Sequence, residues 1–185
     1  GIDFMGFIFY QKSPRYQNKS LILSNISKYK VGVFVNEDFE SIRDKILKQN
    51  LTHVQLHGDE SPSLCKKLMT LVRVIKAFRI SQYFDINKTH EYLLSCDYFL
   101  FDTDSDSYGG SGKKFNWDII KNFTKKKFFL SGGIDLESIN KIKKIKKENE
   151  YLFAVDINSK FEFSPGIKDI KKIKRFLKKL NDGKF

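Results

Sequence analysis

Lys127-Phe128-Phe129-Leu130-Ser131-Gly132-Gly133-Ile134 is a short apolar run that stops at a hydroxyl and two glycines. A longer amphipathic stretch follows over Leu136–Lys147. The same order then returns, with Tyr151-Leu152-Phe153-Ala154-Val155 running into Asp156-Ile157-Asn158-Ser159. Short apolar runs bounded by turn formers read as buried strands. Longer stretches with apolar residues every three or four positions read as helices. Working outward from this pair, the alternation repeats along the chain. Further strands are expected over Phe4–Phe9, Val31–Val35, His53–Leu56, Val72–Ala77 and Tyr98–Phe101. Helices are expected over Lys19–Lys28, Asp38–Gln49, Ser61–Leu71, Tyr83–Ser95, Trp117–Phe123 and Ile167–Leu180. Strict alternation of strand and helix predicts a parallel sheet with helices on its faces.

Polar residues decide between an open sheet and a closed barrel. They fall just past the C-terminal ends of several strands: Tyr10 and Lys12-Ser13-Pro14-Arg15, Asn36, His57-Gly58-Asp59, Asp102, Ser131-Gly132-Gly133, and Asp156. A (β/α)8 barrel gathers its active site from several strand ends at that face. An open, doubly wound sheet usually carries a glycine-rich nucleotide turn, G-x-G-x-x-G, and none is present. Gly109-Gly110-Ser111-Gly112-Lys113 does not fit the P-loop spacing either. The expected class is therefore α/β, a (β/α)8 TIM barrel, with residues 1–185 as one barrel domain. In such barrels the phosphate site often follows strands seven and eight. If Ser131-Gly132-Gly133 and Asn158-Ser159 are those two strand ends, the chain carries strands two to eight. Strand one and helix one, roughly 20–25 residues, are then expected upstream of Gly1.

Composition narrows the function classes. The chain has 34 Lys and Arg against 22 Asp and Glu, a net charge of +12. The lysines are spread over helix-like segments and mixed with acidic residues, so they read as solvated helix faces. Exposed aromatics interleaved with glycine and basic residues, which RNA recognition needs, are not found. No nucleic-acid or membrane partner is expected, although a positive field attracts an anionic small molecule. No stretch nears the roughly 20 apolar residues of a membrane span, and no leader pattern opens the chain. Cys65 and Cys96 form no C-x-x-C or zinc-ligand spacing and read as free thiols in a reducing, cytoplasmic setting. No metal or cofactor motif is present.

Six segments together resemble one family. Gly6-Phe7-Ile8-Phe9-Tyr10-Gln11-Lys12-Ser13-Pro14-Arg15-Tyr16 is similar to the stretch after strand two of phosphoribosylanthranilate isomerases. Val31–Asn36 resembles their strand three, and Val54-Gln55-Leu56-His57-Gly58-Asp59-Glu60 their strand four. Asp102, then Tyr108–Lys113 with Phe115 and Trp117, resembles strand six and its loop. Leu130–Ile134 resembles strand seven. Val155–Ser159 with Glu162 and Ser164–Asp169 resembles strand eight. The segments span nearly the whole chain in the family's order.

The resemblance implies an Amadori rearrangement of N-(5-phosphoribosyl)anthranilate in tryptophan biosynthesis, without metal or organic cofactor. Such chemistry needs an acid for the ribose ring oxygen, a base for the adjacent carbon, an anion site and a cation. The family's pattern makes Asp102 the general acid and Arg15 the partner of the anthranilate carboxylate. It makes His57 and Asp156 substrate-binding residues. Backbone and side chains of Gly132, Gly133, Asn158 and Ser159 would meet the phosphate, since glycine permits close approach. Gly109, Gly110, Ser111 and Gly112 would form a loop that covers the substrate. The partner is then a small phosphosugar, and the protein a monomer or homodimer.

One departure stands out. The family's general base is a cysteine at the end of strand one, and no such motif occurs in these residues. The chain alone is thus expected to be catalytically inactive. Two other readings stay open: another ribose-phosphate barrel enzyme, or a basic, non-catalytic binding protein built on a truncated barrel.

Overall fold

The computed structural model describes residues 1–17, 26–103 and 115–182. Among these described residues, seven strands stand in one sheet in sequence order. They are β1 (Phe4–Ile8), β2 (Tyr29–Phe34), β3 (His53–Leu56), β4 (Arg73–Ile80), β5 (Tyr98–Thr103), β6 (Phe128–Leu130) and β7 (Leu152–Val155). Pairing is parallel from β1 to β4, with Gly6 opposite Val31, Val33 opposite Gln55, and Leu56 opposite Lys76. It is parallel again between β6 and β7, where Leu130 faces Val155. A separate antiparallel hairpin joins β8 (Glu162–Ser164) to β9 (Ile167–Lys168). The α-helices are α1 (Phe39–Gln49), α2 (Pro62–Leu68), α3 (Ile139–Glu148) and α4 (Ile170–Asn181).

The chain divides into two compact units. The first comprises Gly1–Phe78 and Asp85–Leu100. Its core holds Phe34, Ile42, Val54, Leu56, Leu68 and Val74, all 2% exposed or less. Helix α1 starts where the Asp38 carboxylate accepts the Ser41 N–H, and it stops at Asn50, whose φ of 50° breaks the helical path. Ile42 and Ile46, one turn apart, are the residues it buries. Helix α2 opens on the Ser61 hydroxyl cap with Pro62 in its first turn, where a missing N–H costs nothing.

The second unit comprises Arg79–Phe84 and Phe101–Phe185. Phe101 sits against Phe123 and Phe128 at ring centroid distances of 5.3 Å. Ile139, Ile142 and Ile145 form the buried stripe of α3, and Ile173 and Phe176 that of α4. The lysines between them, such as Lys144 and Lys174, are exposed.

Among the described residues, the order of the seven sheet strands follows the sequence reading, and several elements differ in detail. Tyr83–Ser95 forms only a 3-10 helix over Ile86–Tyr92. Asp85 caps it by accepting the Asn87 N–H, and the Thr89 hydroxyl bonds back to the Ile86 carbonyl. Such side-chain bonds compete with a regular helix. Trp117–Phe123 shrinks to a 3-10 turn, Trp117–Ile119, capped by Asn116. Ile167 and Lys168 belong to β9 and not to the last helix. Pro165 followed by Gly166 at φ 86° makes the tight turn of the β8–β9 hairpin, and α4 starts only after its Asp169 cap. Most of the helix expected over Lys19–Lys28 lies outside the described residues.

Candidate active site

In the first unit, the polar residues beyond β1, β2 and β3 are placed by backbone turns. The chain after β1 folds back, with Ser13 N–H donating to the Tyr10 carbonyl (3.0 Å) and Tyr16 bridging Ile8. Arg15, half-buried, sits in this turn, its N–H on the Ser13 hydroxyl at 3.1 Å. After β3, His57 is 8% exposed. Its N–H donates to the Phe34 carbonyl at 2.9 Å, and its Nδ1 lies 2.8 Å from Gln55 Nε2.

Beneath His57 is a network that sequence reading missed. Glu60 and Lys76 form an ion pair at 3.0 Å with side chains 1% and 3% exposed. Glu60 also accepts from the N–H groups of Asn36 (2.9 Å) and Gly58 (3.0 Å). Asn36, at φ 53°, accepts the Asp59 N–H on its carboxamide oxygen at 2.6 Å. The Tyr92 hydroxyl donates to the Glu60 carbonyl at 3.0 Å. Burial pushes the Tyr92 phenol up to about 12, so it stays a donor at neutral pH. Glu60 was visible only as the end of a motif, and Lys76 only as a charge inside an apolar strand. That second feature is the usable signal, because a lysine in a buried strand needs an acidic partner.

In the second unit, Asp102 lies within β5, 8% exposed, and its Oδ1 accepts the Thr103 N–H at 2.8 Å. Gly132, past β6, packs directly on this group. A β-carbon there would stand 3.0 Å from Asp102 Oδ1 and 2.7 Å from the Thr103 nitrogen, and it would overlap the Thr103 hydroxyl. Gly132 and Gly133 have φ of 87° and 62°, conformations that side chains oppose. Ser131, buried between the two aspartates, donates its N–H to the Phe101 carbonyl (2.9 Å) and its hydroxyl to Asp156 (3.1 Å). Asp102, Gly132, Ser131 and Asp156 are thus linked side by side.

Asn158 and Ser159 follow β7 and are half-buried. The Asn158 carboxamide oxygen accepts from Lys168 Nζ at 2.6 Å, and Lys168 also reaches Glu162 at 2.7 Å. Lys168 is a second residue without a role in the sequence reading. Its place came from the hairpin, which periodicity did not show. Gly109, Gly110, Ser111 and Gly112 lie outside the described residues. Neither cysteine stands at a strand end. Cys65 is buried in α2 with its thiol pushed up to about 11 by burial, and Cys96 is 1% exposed ahead of β5. Among the described residues, no helix is long and apolar enough to cross a membrane.

The family model of N-(5'-phosphoribosyl)anthranilate isomerase matches residues 1–179. An isomerase of that name from Parabacteroides distasonis is 41% identical over 187 residues, covering 97% of this chain and 84% of its own. The one from Thermotoga neapolitana is 39% identical, covering 97% and 88%. The crystal structure of the Thermotoga maritima enzyme superposes with a TM-score of 0.86 at 36% identity, covering 98% of this chain and 89% of that one. A further isomerase structure superposes at 0.82 with 33% identity, covering 98% and 89%, and is a complex with reduced 1-(o-carboxyphenylamino)-1-deoxyribulose 5-phosphate. The parallel sheet and these neighbours make the fold α/β of the (β/α)8 type. The chain belongs to the N-(5'-phosphoribosyl)anthranilate isomerase family.

Proposed function

We propose that the protein isomerises N-(5-phosphoribosyl)anthranilate to 1-(2-carboxyphenylamino)-1-deoxyribulose 5-phosphate, the Amadori step of tryptophan biosynthesis. Family membership supports this reading. The observation that carries it is the apposition of the Asp102 carboxyl and the left-handed Gly132 backbone. An acid and a close-approach anion site then stand on neighbouring strand ends.

In this reading Asp102 gives its proton to the ribose ring oxygen. The C1–O bond breaks and the amine nitrogen closes an iminium. Loss of the C2 proton leaves an enolamine, which becomes the ketose when the proton settles on C1. Arg15 pairs with the anthranilate carboxylate, for which a planar guanidinium is suited. His57 and Asp156 contact the sugar. The phosphate takes the N–H groups of Gly132 and Gly133 together with Asn158 and Ser159. The Lys168 contact fixes the Asn158 oxygen, which turns its NH2 into the donor.

The base at C2 is not assigned to a residue of this sequence. Cys65 does not supply it, because a buried thiol with a raised pKa holds its proton. A polypeptide limited to the 185 residues is expected to give no turnover. The test is the decay of anthranilate fluorescence when the natural chain meets substrate made in situ. Turnover by the natural chain that is abolished in Asp102→Asn supports the reading. No turnover, or an unaffected Asp102→Asn enzyme, overturns it.

A further inference from the structure

We propose that the buried Lys76–Glu60 pair is a positioning device for His57, fixing where the imidazole stands at the end of β3. The inference rests on the substrate-contacting role given to His57 above. Lys76 Nζ donates to the carbonyls of Leu56 (3.3 Å) and Gly58 (2.6 Å), the residues immediately before and after His57. It also reaches the Ala77 carbonyl at 3.2 Å and Glu60 at 3.0 Å. Glu60 takes the Gly58 N–H at 3.0 Å, and His57's own N–H is on the Phe34 carbonyl. The backbone on both sides of the imidazole is therefore gripped by one ammonium and one carboxylate. The Asn36 N–H on Glu60 ties the end of β2 to the same carboxylate.

The physical cost argues for this purpose. Removing two charges from water offsets most of their attraction, and apolar residues of similar volume often serve stability as well. A buried, fully hydrogen-bonded pair instead enforces one geometry. Lys76 also lies 5.8 Å from the ring centroids of Phe78 and Tyr92, which close the ammonium off. A one-ångström displacement of a substrate-contacting group costs up to about a hundredfold in rate.

The experiment is a double-mutant cycle on the full natural chain. Glu60→Leu/Lys76→Met is made in the wild-type and His57→Ala backgrounds, with kcat/KM and thermal midpoint measured for each. A folded double variant is expected to lose about tenfold to hundredfold in kcat/KM, and to lose nothing further when His57 is already alanine. Full additivity, or no loss in the wild-type background, overturns the proposal. Should the double variant not fold, Glu60→Gln and Lys76→Arg are carried through the same cycle. Imidazole nitrogen NMR of His57 reads the device without turnover, since its chemical shifts should move in Glu60→Gln. An unmoved ring overturns the inference. A natural chain without isomerase activity but with a moved ring overturns only the proposed function.

Discussion

The two units put polar residues at the same kind of place, the C-terminal ends of parallel strands, and treat them in opposite ways. In the first unit, charges face each other in the dark: Glu60 and Lys76 are almost fully enclosed, and their bonds run to backbone on three strands or the loops after them. In the second, Asp102 and Ser131 are buried, but Gly132, Asp156, Asn158 and Ser159 are partly exposed, with the Ser131 hydroxyl on Asp156 and Lys168 on Asn158. The difference separates two tasks. In the proposed reading, full charges locked together hold a frame, whereas the half-exposed groups beside the Gly132 turn meet the phosphosugar.

Substitutions can break that contrast. The largest effect is expected from Asp102→Asn, about a thousandfold in kcat as for loss of a general acid, with affinity for the reduced product analogue mostly retained. Isothermal titration with that analogue separates the two quantities. Next, Lys76→Met alone should cost about 3–5 kcal/mol in urea unfolding, because it strands Glu60, while Glu60→Leu/Lys76→Met should recover most of it. Equal losses in both would show that the charges themselves stabilise the frame. Gly132→Ala should cost about 1–3 kcal/mol through its left-handed backbone and lower kcat further by pressing on Asp102. A loss in stability with normal kcat would detach Gly132 from the chemistry. The smallest effect is pH-dependent. Burial holds the His53 pKa below its usual 6.5. Below pH 6.5 the unfolded chain then binds more protons than the folded one, so stability falls as pH drops through that value. His53→Gln should flatten this part of the urea midpoint against pH, and an unchanged slope would assign it elsewhere.

Much of this was legible from residue order. The alternation, the strand-end positions of Asp102 and Asp156, and the glycine pair after β6 need only periodicity and local backbone preference. Lys76 signalled its need for an acidic partner, but that the partner is Glu60 was not legible, because a register opposing Leu56 to Lys76 is a property of the sheet and not of either segment. The β8–β9 hairpin was masked by the amphipathic period of the following helix. Ser164-Pro165-Gly166 carried its signal, and the turn chemistry outweighed the period.

The hairpin has a consequence for how the protein assembles. Lys168 reaches Asn158 across ten positions and Glu162 across six, and Gly166 reaches Glu162 across four. Apart from the Gly58 N–H two positions away, the links around Glu60 span separations of 16, 24 and 32. Closing short loops costs little chain entropy, and contacts of low separation form fastest. The segment from Asn158 to Asp169 should therefore regain its shape early after dilution from denaturant, ahead of the clamp around His57.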